Sequence, residues 1–126
     1  MSTEHYQLLD LHLVDHVPVL TVTHAAIRQP KVAEELGTEV RFAVQKHQPL
    51  AFLLNLSKVS YMSSTGFAVL LSLSKWANES KITMALCGLH EDVARGSSIL
   101  GVQRYVGIYA SEREALAALK HDQTPG

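Results

Sequence analysis

The sequence predicts an α/β fold: a mixed, mostly parallel sheet of about five strands with about four helices, in the order β-β-α-β-α-β-α-β-α. Three observations carry this. Apolar residues recur at a period of two in some segments and at helical spacing in others, and the two kinds of segment alternate along the chain. Leu50–Leu54 is a continuous apolar run, as suits a central strand buried on both faces. The 126 residues are 47% apolar and 18% charged, enough for one core and too apolar for disorder.

The elements follow in order. Tyr6–Val14 alternates, with Leu9, Leu11 and Leu13 on one face, and reads as a strand. Asp15-His16 is a hairpin turn, and Val17–Thr23, rich in β-branched residues, is the second strand. Pro30 opens a helix to Lys46, in which Val32, Leu36, Val40, Ala43 and Val44 form the apolar stripe. After the Leu50–Leu54 strand, Ser64–Asn78 is a helix with a core stripe of Val69, Leu70, Leu73, Trp76 and Ala77. Lys81–Cys87 alternates again as a strand. Glu91–Leu100 is a weak helix, since Gly96, Ser97 and Ser98 lower its propensity. Val106–Tyr109 is a short last strand, and Ser111 with Glu114 forms a capping box that opens the final helix. The opening hairpin puts one antiparallel strand at an edge, and the right-handed crossover rule leaves few topologies. No linker or repeat divides residues 1–126, which read as one domain with a core of about residues 5–120 and a polar tail, 121–126, expected to fray.

Composition narrows the function classes. Eleven Lys and Arg against 12 Asp and Glu give a net charge of −1, which speaks against nucleic-acid binding and against a polybasic membrane anchor. The longest apolar runs fall well short of the ~20 residues that span a bilayer, so no membrane insertion is expected. One cysteine, Cys87, forms neither an internal disulfide nor a cysteine zinc site, and reads as a small buried hydrophobe in a reducing compartment. With no basic-then-apolar leader in Met1–Asp10, a cytoplasmic location is expected. His12, His16 and His24 lie near the first hairpin, but their placement on a polar strand face and in turns reads as solvated histidine, not as a metal site. Lys58 and Arg104 read as surface charge, and Glu91-Asp92 as an acidic first helical turn. No Gly-x-Ser-x-Gly elbow is present for a hydrolase and no Gly-rich loop for a nucleotide, so neither catalysis nor a cofactor is expected.

One stretch is more specific. Asn55 to Phe67 leads from the buried strand into a helix through Ser63-Ser64-Thr65-Gly66, three hydroxyls and a glycine at a helix start. Taken alone it is a helix cap.

In that layout the sequence resembles the STAS family, the sulfate transporter and anti-sigma factor antagonist domains. Their signature is a hydrophobic strand, a few linker residues, then Asp-Ser-Ser/Thr-Gly opening an apolar helix. Leu50–Gly66 follows it, with Ser63 where the family usually has Asp. The likeness continues through Lys81–Cys87, through Glu91–Gly101 with Val102-Gln103-Arg104-Tyr105-Val106, and through Ser111-Glu112-Arg113-Glu114-Ala115-Leu116, about residues 5–120 in all. The resemblance implies a STAS-like domain acting as an anti-sigma factor antagonist by partner switching. Ser64 would be the phosphoacceptor of an anti-sigma factor serine kinase, which binds the unmodified form. Ser63, Thr65, Gly66, Phe67, Leu71 and His24 would form the partner contact. The alternative is a STAS subunit without a phosphoswitch, docking on a lipid-transport ATPase or on other STAS subunits of a stress-signalling complex. Exposed sheet edges could also pair two copies as a homodimer. Three departures thin the acidic surroundings of the signature: Ser63 for Asp, Asn55 where a strand-ending Asp is common, and a Thr23-His24-Ala25-Ala26 loop without Gly-x-Leu-Asp.

Overall fold

The computed structural model describes residues 3–122. It opens with a short strand, β1 (Glu4–His5), that folds back antiparallel on β2 (Leu9–Val14). The sequence suggests one strand from Tyr6. The alternation fails because Leu8 and Leu9 are both buried, and the chain turns there through a hydrogen bond from the Tyr6 N–H to the Leu9 carbonyl (2.8 Å). Asp15 and His16 both adopt left-handed conformations (φ 50° and 70°), the two-residue loop whose twist suits a hairpin. It joins β2 to β3 (Val17–Val22).

A two-residue strand, β4 (Ala26–Ile27), precedes α1 (Pro30–His47). Then come β5 (Ala51–Asn55), a second two-residue strand β6 (Tyr61–Met62) and α2 (Ser64–Glu79). The chain ends with β7 (Thr83–Cys87), α3 (Glu91–Leu100), a 3-10 turn at Val102–Arg104, β8 (Gly107–Tyr109) and α4 (Glu112–Asp122). The main sheet has six strands in the order β1-β2-β3-β5-β7-β8, with β3, β5, β7 and β8 parallel. The sixth strand, beyond the five expected, is β1. β4 and β6 form a separate parallel ribbon. α4 runs to Asp122, and of the tail expected to fray, 121–126, residues 123–126 lie outside the described residues.

Alternation within the central strands sends side chains to two cores. Leu20, Val22, Phe52, Leu54, Met84 and Leu86 pack under α1, α2 and α3. Val17, Val19, Ala51, Leu53, Ala85 and Cys87 pack under Ala115 and Leu119 of α4. Three helices therefore cover one face and one covers the other, where Ala51, Ala85 and Cys87 leave room for it. Each fully buried Leu or Phe adds about 1.5–3 kcal/mol relative to exposure. Gly37 lets α1 and α2 approach, since a Cβ there would meet Val69 Cγ1 at 2.9 Å. The α2 stripe matches at Leu70, Leu73 and Ala77, whereas Val69 and Trp76 are half-buried. Trp76 packs against Phe52, with ring centroids 6.5 Å apart. Buried Ser74 satisfies its hydroxyl on the Leu70 carbonyl (2.8 Å). Ser111 Oγ accepts the Glu114 N–H (3.2 Å), one half of the expected capping box.

Candidate functional site

The linker after β5 is pinned from below and from the side. Leu56 and Val59 are fully buried. The Leu56 N–H donates to the Cys87 carbonyl (3.0 Å) and the Val59 N–H to the Leu56 carbonyl (3.0 Å). The Ala25 carbonyl then accepts from the Ser60 N–H (2.8 Å), the Tyr61 N–H (3.3 Å) and Ser60 Oγ (3.2 Å). This ties the Thr23–Ala26 loop, and exposed His24 with it, to the segment leading into α2. One residue further on, the β4–β6 ribbon pairs Ala26 with Tyr61 and Ile27 with Met62, and the Ser63 N–H donates to the Ile27 carbonyl (2.8 Å).

Ser63 is thereby held extended (φ −74°, ψ 169°) at the cap of α2. Its Oγ accepts the Gly66 N–H (3.3 Å), and its carbonyl accepts the Phe67 N–H (3.0 Å). Ser63 thus supplies the helix cap with an uncharged oxygen. Ser64 is the first residue of α2 and is exposed, and Thr65 is half-buried. Among the described residues, neither hydroxyl has a hydrogen-bond partner. The first turn of α2 carries no acidic side chain, so the positive end of this helix is uncompensated. Gly66 is buried against β4 and β6: a Cβ would collide with Met62 Cγ and stand 3.3 Å from Ile27 Cγ2. The glycine is there for space, not for an unusual backbone angle.

By helical spacing Ser64, Phe67 and Leu71 fall on one side of α2, but they differ in what covers them. Ser63, Ser64, Thr65 and Gly66 are contiguous, and the Ala25 bonds bring the His24 loop to them. Phe67 instead turns towards α3 and packs half-buried against Gly96, where a Cβ would collide with its ring. That contact accounts for a glycine inside α3. Leu71, also half-buried, lies about two helical turns from Ser64. It lines a shallow groove of about 400 Å³ with Ala68, Ser72, Lys75, Trp76 and Glu79.

Asn55 links the site to α4. Its Oδ1 accepts the Ser57 N–H (2.9 Å) and its Nδ2 donates to Glu112 Oε1 (3.0 Å). The other Glu112 oxygen lies 4.0 Å from His12 Nε2. An Asp at position 55 would face this carboxylate. Burial, with the Glu112 charge adding to it, pushes the Cys87 thiol up to about 11, so it stays a neutral apolar group. Among the described residues no group of three or more His, Cys, Asp or Glu side chains is placed to hold a metal ion. No helix among them is long and apolar enough to cross a membrane.

Two residues beside the site escaped the sequence reading. The Arg28 guanidinium carbon lies 4.7 Å from the centroid of the Tyr61 ring, and Tyr61 is 46% exposed. Their only signal is an exposed aromatic in the linker, because two-residue strands leave no period to read.

Comparison with known proteins agrees with this architecture. The chain is 26% identical over 112 residues to an anti-sigma F factor antagonist from Paenibacillus polymyxa, covering 89% of this chain and 96% of that protein. Its fold superposes on the crystal structure of an anti-sigma factor antagonist from Mycobacterium paratuberculosis with a TM-score of 0.77 at 20% identity, over 89% and 92% of the two chains. It superposes on the anti-sigma factor antagonist SpoIIAA in its unphosphorylated form with a TM-score of 0.71 at 16% identity, over 90% and 96%. The STAS domain model matches residues 31–115, from the first turn of α1 into α4 and across the whole Ser63–Gly66 turn, and the chain belongs to the STAS domain family.

Proposed function

We propose that this chain is an anti-sigma factor antagonist that works by partner switching, with Ser64 as its phosphoacceptor. It binds an anti-sigma factor serine kinase while Ser64 is unmodified and releases it once the γ-phosphoryl group of ATP is on Ser64 Oγ. The observation that carries this reading is the division of labour between two adjacent serines. Ser63 supplies the helix cap, so the Ser64 hydroxyl is exposed and makes no hydrogen bond that the fold needs. Its modification therefore removes nothing from the fold.

The energetics favour a switch read by the partner. A phosphoserine adds about −1.5 to −2 charge. At a helix N-terminus that charge is favourable by about 0.3–1 kcal/mol. Ser63 in place of Asp also removes a repulsion. A carboxylate about 6 Å away would cost about 1 kcal/mol against a dianion in water. Beneath a partner's apolar surface the same phosphate loses its hydration without compensation, a cost of several kcal/mol and about 10³-fold in affinity. The relative named as an anti-sigma F factor antagonist supports the partner class.

The test is incubation with an anti-sigma serine kinase and ATP, followed by intact-mass measurement. One added phosphoryl group is expected, and none on Ser64→Ala. A parent protein that stays unmodified, while still captured by a transporter ATPase or by other STAS subunits, would favour the non-switching subunit. The neutral residues Ser63 and Asn55 point towards that second reading.

A further inference from the structure

We propose that Arg28 is the group on this chain that receives a phosphate on Ser64, and that it leaves the Tyr61 ring to do so. The inference rests on the reading of Ser64 as a phosphoacceptor and adds to it how the modification is sensed.

The β4–β6 ribbon sets the geometry. Ile27 and Met62 are its buried pair, and Ala26 and Tyr61 the pair before it. The Ser63 N–H bond to the Ile27 carbonyl carries the parallel pairing one step further, which sets the Arg28 backbone beside Ser63. By alternation Tyr61, Arg28 and Ser63 share the outer side. Strand spacing of ~4.8 Å and a Cα step of ~3.8 Å put the Ser64 Cα within roughly 9 Å of the Arg28 Cα. A three-methylene stem and a phosphoseryl arm together cover that span.

Arg28 is also available. Among the described residues Arg28 touches only the Tyr61 ring through its guanidinium, and no carboxylate holds it. Of the other charged groups nearby, Lys31 is an exposed cation in the first turn of α1, three residues from Arg28. Glu91 and Asp92 of α3, which packs against β6, are held by Arg95 at 3.1 and 3.2 Å. His24 and Lys58 are exposed on the loops after β3 and β5. Paired, charge-assisted bonds from a guanidinium to a phosphate dianion are stronger than a stack on a half-exposed ring. The modification then both neutralises Arg28 and bares Tyr61, so a partner meets a changed surface as well as a new charge.

The experiment uses full-length protein with phosphoserine installed at position 64 during translation. The phosphate is titrated by phosphorus NMR and the Tyr61 ring signals are followed by proton NMR. In the parent, the second ionisation falls below its usual value of about 6. In Arg28→Gln it rises by roughly half a unit to one unit relative to the parent, and Arg28→Lys recovers part of the difference as a point charge. The Tyr61 signals move on phosphorylation in the parent and stay put in Arg28→Gln. Identical titrations in parent and Arg28→Gln, or Tyr61 signals indifferent to the phosphate, would overturn the proposal. Because no kinase installs the group, such a result counts against Arg28 alone, whereas failure of enzymatic phosphorylation counts against the switch.

Discussion

Gly66→Ala tests whether the signature turn is held by packing. Two opposing effects can be weighed. Alanine is the better helix former by about 1 kcal/mol in a helix interior, and less in a first turn. Against that, the new methyl would collide with Met62 Cγ and sit 3.3 Å from Ile27 Cγ2 and 3.4 Å from Met62 Sδ. Met62 is 6% exposed and Ile27 fully buried, so neither can swing into solvent. Overpacking of this kind costs about 1–3 kcal/mol. The net expectation is a loss of about 1 kcal/mol, or about 4 °C in Tm for a chain of this size. Met62→Ala alone leaves a cavity and costs about 2–5 kcal/mol. Combined with Gly66→Ala it should cost less than the sum, because the added methyl enters the space Met62 vacates. Urea denaturation of the four proteins gives the coupling directly. A Gly66→Ala protein more stable than its parent, or strict additivity with Met62→Ala, would refute the close approach.

Ser63→Ala removes the cap on the Gly66 N–H and should lower stability by about 0.5–2 kcal/mol, while Ser63→Asp retains it; thermal melts of both decide this. Asn55→Asp sets a second carboxylate where the amide now meets Glu112 at 3.0 Å. It should cost about 1–3 kcal/mol at neutral pH. Folding raises the pKa of such a pair, so the deficit grows as pH rises through the carboxylate range and fades below pH ~4, readable from urea midpoints at two pH values. Glu4 is pulled up by its burial, but hydrogen bonds from Tyr6, Lys46 and His47 outweigh this and hold it below its ordinary value of 4.5. A depressed carboxylate stabilises above its unfolded pKa. The docking of β1 against α1 should therefore weaken as pH falls below 4.5, seen as lower amide protection at β1 relative to the intrinsic exchange rate at each pH, and Glu4→Gln should remove that dependence.

The parts of the fold legible in the sequence are those with a sustained period. α1, α2, the β2–β3 hairpin and the continuous run of β5 all announce themselves through side-chain spacing. What escaped is short or is set by partners distant in sequence. β1, β4 and β6 have two residues each, and no period exists over two residues. The placement of α4 on the opposite face follows from the small side chains Ala51, Ala85 and Cys87, which alternate with large ones towards the other core. Of the site, the cap and the exposed serine could be read from Ser63-Ser64-Thr65-Gly66. Phe67 stands off the core stripe in the sequence, and its packing against Gly96, 29 positions along the chain, leaves no local signal. Arg28 and Tyr61 meet only through the ribbon, which no local pattern encodes.

The central claim is that the modification of one exposed serine is read by a partner and not by the fold. Calorimetric titration of an anti-sigma serine kinase with the unmodified and the Ser64-phosphorylated protein tests it, with a thermal melt of each form alongside. The expected result is an affinity loss of about 10³-fold at an unchanged or slightly higher Tm. Equal affinity for the two forms, or a phosphorylated protein that binds poorly only because it has unfolded, would contradict it.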